Sequence, residues 1–322
     1  PLSYKAGITD GEGTNAAFNG PTGLCVDLKG NVFVADTLNS LIRRVTPRGK
    51  VSTIAGNAQP FYKEGRRTQA SFNYPTGICV DLYNVLYVAD TGNNMIRSID
   101  TVTGIVSTLA GTQVSGIADG VGTAARFNGP RGIAINDSGL LYISDTQNNS
   151  IRTLDLTTTP PMIVSTLAGL SGARNFGKDN GTGNLARFNT PVGIALERIN
   201  GVYTGSLFVA DSLNNRIRYV TGSGIVTTYA GANYTTFTRI NSTLQDSTFI
   251  LPVGIVIDDL QNIYVSEFSS TLKTSCIRKL SGDTVSNFAG PCDLVRDPFP
   301  NDGNATSDVR QRFGYSTSFS LI

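Results

Sequence analysis

Histidine and tryptophan are both absent from the 322 residues, and methionine occurs only twice. Without histidine the chain lacks the commonest general base and the commonest zinc ligand, so imidazole-based catalysis and histidine-held zinc are excluded. An excess of either charge is also missing: 26 basic residues face 24 acidic ones, a formal net charge of +2. That balance does not provide the electrostatic footprint of a dedicated nucleic-acid binder. No run approaches the roughly 18 consecutive apolar residues of a membrane-spanning helix. Strong helix-forming runs are scarce, whereas 35 glycines and 13 prolines predict many turns. With 40% apolar and 16% charged residues, a large core is expected and disorder is not. The chain starts at Pro1 with neither a methionine nor a signal peptide, and is expected to be processed or partial.

What is present is repetition. Phe18-Asn19-Gly20-Pro21-Thr22-Gly23 returns as Phe72 to Gly77, Phe127 to Gly132, Phe188 to Gly193 and Phe249 to Gly254. Successive prolines Pro21, Pro75, Pro130, Pro191 and Pro252 stand 54, 55, 61 and 61 residues apart. A period of this size marks a repeat architecture with one supersecondary module per unit. Each unit holds four short runs rich in Val, Ile, Leu, Tyr and Thr, bounded by Gly, Asn or Asp, as in "GICVDL", "VLYVAD", "MIRSID" and "IVSTLAG". They are too short for ordinary helices and predict four antiparallel strands, the blade of an all-β propeller.

The pattern P-x-G-[IL], LYVAD-x-x-NN-x-IR and VSTLAG resembles the NHL-repeat propellers. It is most similar to the subgroup with a long "DG-x-GT" connection, seen here at Asp10 to Thr14 and Asp119 to Thr123. The expected blades are about 18–57, 72–111, 127–169, 188–231 and 249–290 of a single domain. Residues 1–17 read as an orphan outer strand and loop, and 313–322 as the first strand of a further blade. Six blades are therefore expected, the sixth incomplete, with open edges that invite strand addition from a neighbour.

Within each unit Asp36, Asp90, Asp145 and Asp211 precede Arg43, Arg97, Arg152 and Arg218 by seven residues; Glu267 and Arg278 replace them in the fifth. A catalytic site is made once, whereas this constellation is made in every blade. It is expected to be architecture: Asp and Asn bonding backbone amides in the loop between second and third strands, with Arg forking onto Asp or carbonyls.

Four cysteines occur. Cys276 opens the third strand of the fifth unit and Cys292 follows its fourth, so a disulfide between them is expected. Cys25 and Cys79 read as small buried apolar residues. Six Asn-x-Ser/Thr triplets stand at Asn136, Asn148, Asn180, Asn233, Asn241 and Asn304. Most fall in loops on one face, which favours an extracellular or cell-surface glycoprotein.

The functional expectation is a non-catalytic interaction or structural module without a cofactor. Its irregular interblade loops would contact a protein or glycan partner, with Tyr62, Tyr234 and Phe237 as candidate anchors and self-assembly through open edges as a further use. Resemblance to NHL-like propellers also implies two alternatives. One is a metal-dependent lyase or hydrolase, whose metal would need convergent groups such as Asp27, Asp81, Asp258, Asp259, Asn136 and Glu197. The other is an RNA-binding face, for which Arg43, Arg44, Arg48, Lys50, Arg66 and Arg67 form the only local basic excess.

Overall fold

The computed structural model describes residues 6–157, 162–231, 241–269 and 274–290. Five antiparallel sheets follow one another along the chain, each running from an inner to an outer strand. Blade 1 comprises Pro21–Val26, Val32–Asp36, Leu41–Val45 and Lys50–Ala55. Blade 2 comprises Pro75–Val80, Val85–Asp90, Met95–Asp100 and Ile105–Gly111. Blade 3 comprises Pro130–Ile135, Leu140–Asp145, Ser150–Asp155 and Ile163–Ala168. Blade 4 comprises Pro191–Ile199, Val202–Asp211, Arg216–Thr221 and Ile225–Ala230. Blade 5 comprises Pro252–Ile257, Ile263–Ser269, Thr274–Ser281 and Thr284–Ala289.

The expectation of six blades is corrected to five among the described residues. Residues 1–5 and 313–322 lie outside them. Gly11–Glu12, in the linker before blade 1, pairs with Val51 and Lys50 as a fifth, edge strand of that blade. Gly65–Arg66, Gly120–Val121 and Gly181–Thr182 do the same for blades 2, 3 and 4, each followed by a single 3-10 turn. The long connections are therefore sheet edges as much as loops. They cover main-chain groups that would otherwise pair with a neighbouring chain. Among the described residues blade 5 has a single bridge there, Thr243 to Thr284. The segment 197–206 lengthens the inner hairpin of blade 4, with Ile199 pairing with Val202.

The core lies between blades. Phe72 packs with Cys25, Phe33, Ala35, Ile42 and Ala55 of blade 1 and with Ile78 and Leu86 of its own blade. Phe127, Phe188 and Phe249 occupy the three following interfaces. Inner strands meet so closely that a Cβ on Gly77, Gly132 or Gly193 would lie 2.1, 2.0 or 2.4 Å from a carbonyl oxygen of the next blade. Hydroxyls of Thr37, Thr91 and Thr146 donate to the carbonyls of Pro75, Pro130 and Pro191 at 2.6–2.7 Å. Inner strands of consecutive blades pack throughout, but those of blades 1 and 5 do not share this packing among the described residues. Pro21 is accordingly exposed, whereas its four counterparts are buried.

Candidate functional site

The repeated polar loop is built identically four times. Asp36, Asp90, Asp145 and Asp211 end a second strand, and a 3-10 turn follows. One carboxylate oxygen accepts from the backbone N–H of Asn19, Asn73, Asn128 or Asn189 at 2.7–2.8 Å. The other accepts from the amide of Asn39, Asn93, Asn148 or Asn214 and from the arginine Nη1, at 2.7–3.0 Å. The next residue, Ser40, Asn94, Asn149 or Asn215, closes the turn in the left-handed region, which Asn tolerates best after Gly. In three blades its side chain also reaches forward, accepting from the N–H of Gly129, Thr190 or Leu251 in the following blade.

Each arginine is fully buried and also donates to linker carbonyls, Arg43 to Ala17 and Thr9 and Arg152 to Arg126 and Ala118. Its guanidinium lies 5.0–5.6 Å from the ring centroid of Phe18, Phe72, Phe127, Phe188 or Phe249 in its own blade. Burial pushes the carboxyls of Asp90, Asp145 and Asp211 up to about 6, against the opposing pull of the arginine and the N–H donors. Glu267 and Arg278 repeat the pair at 3.3 Å in blade 5.

One member of the cluster escaped sequence reasoning. Asp10 and Asp119 grip the outer side of Arg43 and Arg152 at 2.8 and 2.6 Å, and Asn180 and Asn241 accept from Arg218 and Arg278 at 2.9 and 2.8 Å. Glu64 occupies the same place in blade 2, accepting from Thr108 N–H; that bond and the nearby Arg97 leave its carboxyl below its ordinary range. All five stand eight residues before the repeated Phe, a fixed offset that could have found them. With every oxygen committed to a donor, the cluster ties a linker to the second and third strands and offers no open position to a substrate.

A family model described as "NHL repeat" matches residues 127–154, which run from Phe127 through Asp145 and Asn148 to Arg152. That stretch carries the cluster that the other four blades reproduce. The chain carries an NHL repeat within its β-propeller. Among similar curated proteins, Protein SUPPRESSOR OF QUENCHING 1, chloroplastic, of Arabidopsis thaliana is 28% identical over 84% of this chain and 26% of its own length. NHL repeat-containing protein 2 of Bos taurus is 34% identical over 48% of this chain and 22% of its own length. Teneurin-4 of Mus musculus is 30% identical over 65% and 8%. The propeller thus spans about a quarter or less of the length of these relatives. Among solved structures, a gluconolactonase from Xanthomonas campestris superposes with a TM-score of 0.57 at 13% identity, covering 86% of this chain and 78% of its own. A nidogen/laminin complex gives 0.55 at 16%, covering 84% and 81%. At such identities both show the fold alone.

The remaining sequence candidates separate cleanly on this propeller. Asn148 is a cluster member, 2% exposed, its amide donating to Gly116 and Asp145. Asn136 is 8% exposed and caps its own turn by accepting from Ser138 and Leu140 N–H. At Asn148 the amide nitrogen is committed inside the cluster, whereas at Asn136 only the oxygen is engaged and the side chain is buried. Asn180 and Asn241 are exposed and only their oxygens are engaged, so their amide nitrogens remain available. Asn233, Asn304, Tyr234, Phe237 and Cys292 lie outside the described residues. Cys276 is buried at its expected place in the third strand of blade 5. Tyr62 is not a free anchor: its ring lies 5.0 Å from the Arg97 guanidinium and its hydroxyl accepts from Thr108. Asp27, Asp81 and Asp258 are turn caps, each accepting backbone N–H groups two to four residues on. Among the described residues no group of three or more acidic or cysteine side chains converges on a metal position, and no helix is long and apolar enough to cross a membrane. Arg43, counted in the basic excess, is sealed in the interior and presents nothing to a nucleic acid.

Proposed function

We propose that this propeller is a non-catalytic extracellular scaffold, N-glycosylated at Asn180 and Asn241, whose interblade linkers contact a protein or glycan partner within a larger surface assembly. The observation that carries the reading is the closure of the Asp–Asn–Arg cluster in every blade. The conspicuous chemistry of the chain is consumed in holding strands and linkers together, which leaves the non-repeating linker surfaces as the variable part of a rigid scaffold. Exposure of Asn180 and Asn241 beside buried Asn136 and Asn148 supports a chain that tolerates glycans only at the linkers. A Cys276–Cys292 disulfide would fix the end of blade 5 and fits the same oxidising setting. For self-assembly, the outer strand of blade 5 is the edge least covered by its own linker among the described residues.

Secretion from a eukaryotic host, followed by glycopeptide mapping with and without reduction, tests this. Occupancy at Asn180 and Asn241, none at Asn136 and Asn148, and a peptide pair linking Cys276 to Cys292 are expected. Bare exposed triplets together with free thiols at both cysteines would overturn the extracellular assignment.

A further inference from the structure

Between blades 4 and 5 lies a cleft of about 400 Å³, within the range of small-ligand sites. Its wall is an aromatic cluster, Phe208 with Tyr219 at 5.1 Å and with Tyr229 at 4.8 Å between ring centroids. The positions of Tyr219 in blades 1, 2 and 3 hold Arg44, Ser98 and Thr153, paired across from Phe33, Tyr87 and Tyr142. Glu197, in the lengthened hairpin, accepts through Oε2 from Tyr219 at 3.0 Å and from Thr204 at 2.5 Å. Its Oε1 has no partner among the described residues. Gln245, Gln261, Thr227 and Thr228 line the rim, and Ile257 and Ile263 of blade 5 form the opposite wall. No lysine or arginine lines the cleft, in contrast to the space between blades 1 and 2, where Arg44 and Arg67 do.

The geometry points to a carbohydrate-binding cleft for a neutral sugar. Partly exposed tyrosine rings suit the apolar C–H face of a pyranose. One free carboxylate oxygen, flanked by amides and hydroxyls, suits vicinal sugar hydroxyls, since charge-assisted bonds are the stronger ones. The lack of a cation leaves an anionic ligand without a counter-charge. This assignment does not rest on linker-mediated contacts or on glycosylation of the chain, and either can fail without the other.

Saturation-transfer NMR on the full chain, with cellobiose, maltose, lactose and N,N′-diacetylchitobiose as probes, tests it. At least one disaccharide is expected to receive saturation on its ring protons. Tyr229→Leu and Tyr219→Thr install the residues that blade 3 carries at the same places, Leu167 and Thr153, and so are changes the fold accepts. Each is expected to weaken that signal about tenfold, the order of one lost stacking contact. Glu197→Gln is expected to weaken it roughly three- to tenfold through one charged hydrogen bond. Tyr83→Ala, at an exposed turn of blade 2, is expected to leave it unchanged. Silence from all four sugars, or a signal that survives both tyrosine variants, overturns the assignment. Binding of sodium sulfate at the cleft in preference to any sugar also does so.

Discussion

Arg152 carries two carboxylates in different surroundings, so a single guanidinium can test how burial sets the worth of an ion pair. Asp145, with a fully buried side chain, holds Nη1 at 2.8 Å; Asp119, half exposed, holds Nη2 at 2.6 Å. Asp119→Ala removes a pair that water screens and competes with, which costs less than ~1 kcal/mol, with a similar amount for the bonds to Thr166. Asp145→Ala removes the acceptor for Asn128 N–H, the Asn148 amide and the guanidinium at once. Breaking one side of a buried pair costs about 3–5 kcal/mol, because the remaining charge stays desolvated. Arg152 would keep Asp119 and two carbonyls, which places the loss near the lower end of that range. Urea unfolding of the whole chain at pH 7.5, above the raised Asp145 carboxyl, measures the two costs by circular dichroism and tyrosine fluorescence. Equal costs, or a loss at Asp145 below about 1 kcal/mol, would refute the role given to burial.

Two further outcomes follow from the same packing. Gly132→Ala places a Cβ 2.0 Å from the carbonyl oxygen of Val192, so an overpacking cost of about 3 kcal/mol is expected. Gly201→Ala has open space but a φ of +77°, so about 1 kcal/mol is expected from backbone strain alone; similar losses in the two melts would remove the steric argument. Because burial raises the Asp211 carboxyl to about 6 from an ordinary 3.8, the folded state binds its proton more tightly than the unfolded chain does. That contribution is fully present below about pH 4 and is lost as pH rises through about 6. The stability cost of Asp211→Asn, read from urea midpoints, should therefore grow on acidification from pH 7 to pH 4; a shrinking cost would place the folded carboxyl below its ordinary value.

The blades were legible because their signals are dense and repeated: a Pro-x-Gly start, β-rich runs, and an Asp seven residues before an Arg. The propeller, the loop position of the cluster and an Arg reaching Asp or carbonyls follow from those few residues; that it holds both at once is seen only in the structure. The edge strands were not legible. Gly11–Glu12, Gly65–Arg66 and their counterparts are two residues long and glycine-rich, so neither a two-residue period nor β propensity marks them. The outer partners of Arg43, Arg152, Arg218 and Arg278, at Asp10, Asp119, Asn180 and Asn241, lie 33 to 38 residues away in the chain. Such a contact is visible only through the fold or by aligning the linkers on Phe. Asn136 and Asn148 read as modification triplets because a three-residue pattern contains no information about burial. The aromatic cleft went unseen because Phe208, Tyr219 and Tyr229 come from three strands, and each alone is an ordinary strand residue.

The linker position eight residues before Phe explains why glycan-ready triplets can exist in a structure whose polar groups are so fully engaged. There Asn180 and Asn241 face an arginine with their one oxygen, and that arginine is already neutralised from within by Asp211 or Glu267. Replacing a half-exposed carboxylate by an amide removes a screened charge and keeps the acceptor for the arginine, a change of less than ~1 kcal/mol in that pair. Asn180 and Asn241 make that exchange, and their free nitrogens face away from Arg218 and Arg278. At Asn148 the nitrogen itself is the structural donor, bonded to Gly116 at 2.7 Å and to Asp145 at 2.7 Å. Which atom of the amide the fold uses separates Asn148 from Asn180 and Asn241, and burial separates Asn136 from them, so the proposed glycans need both an exposed side chain and an uncommitted nitrogen.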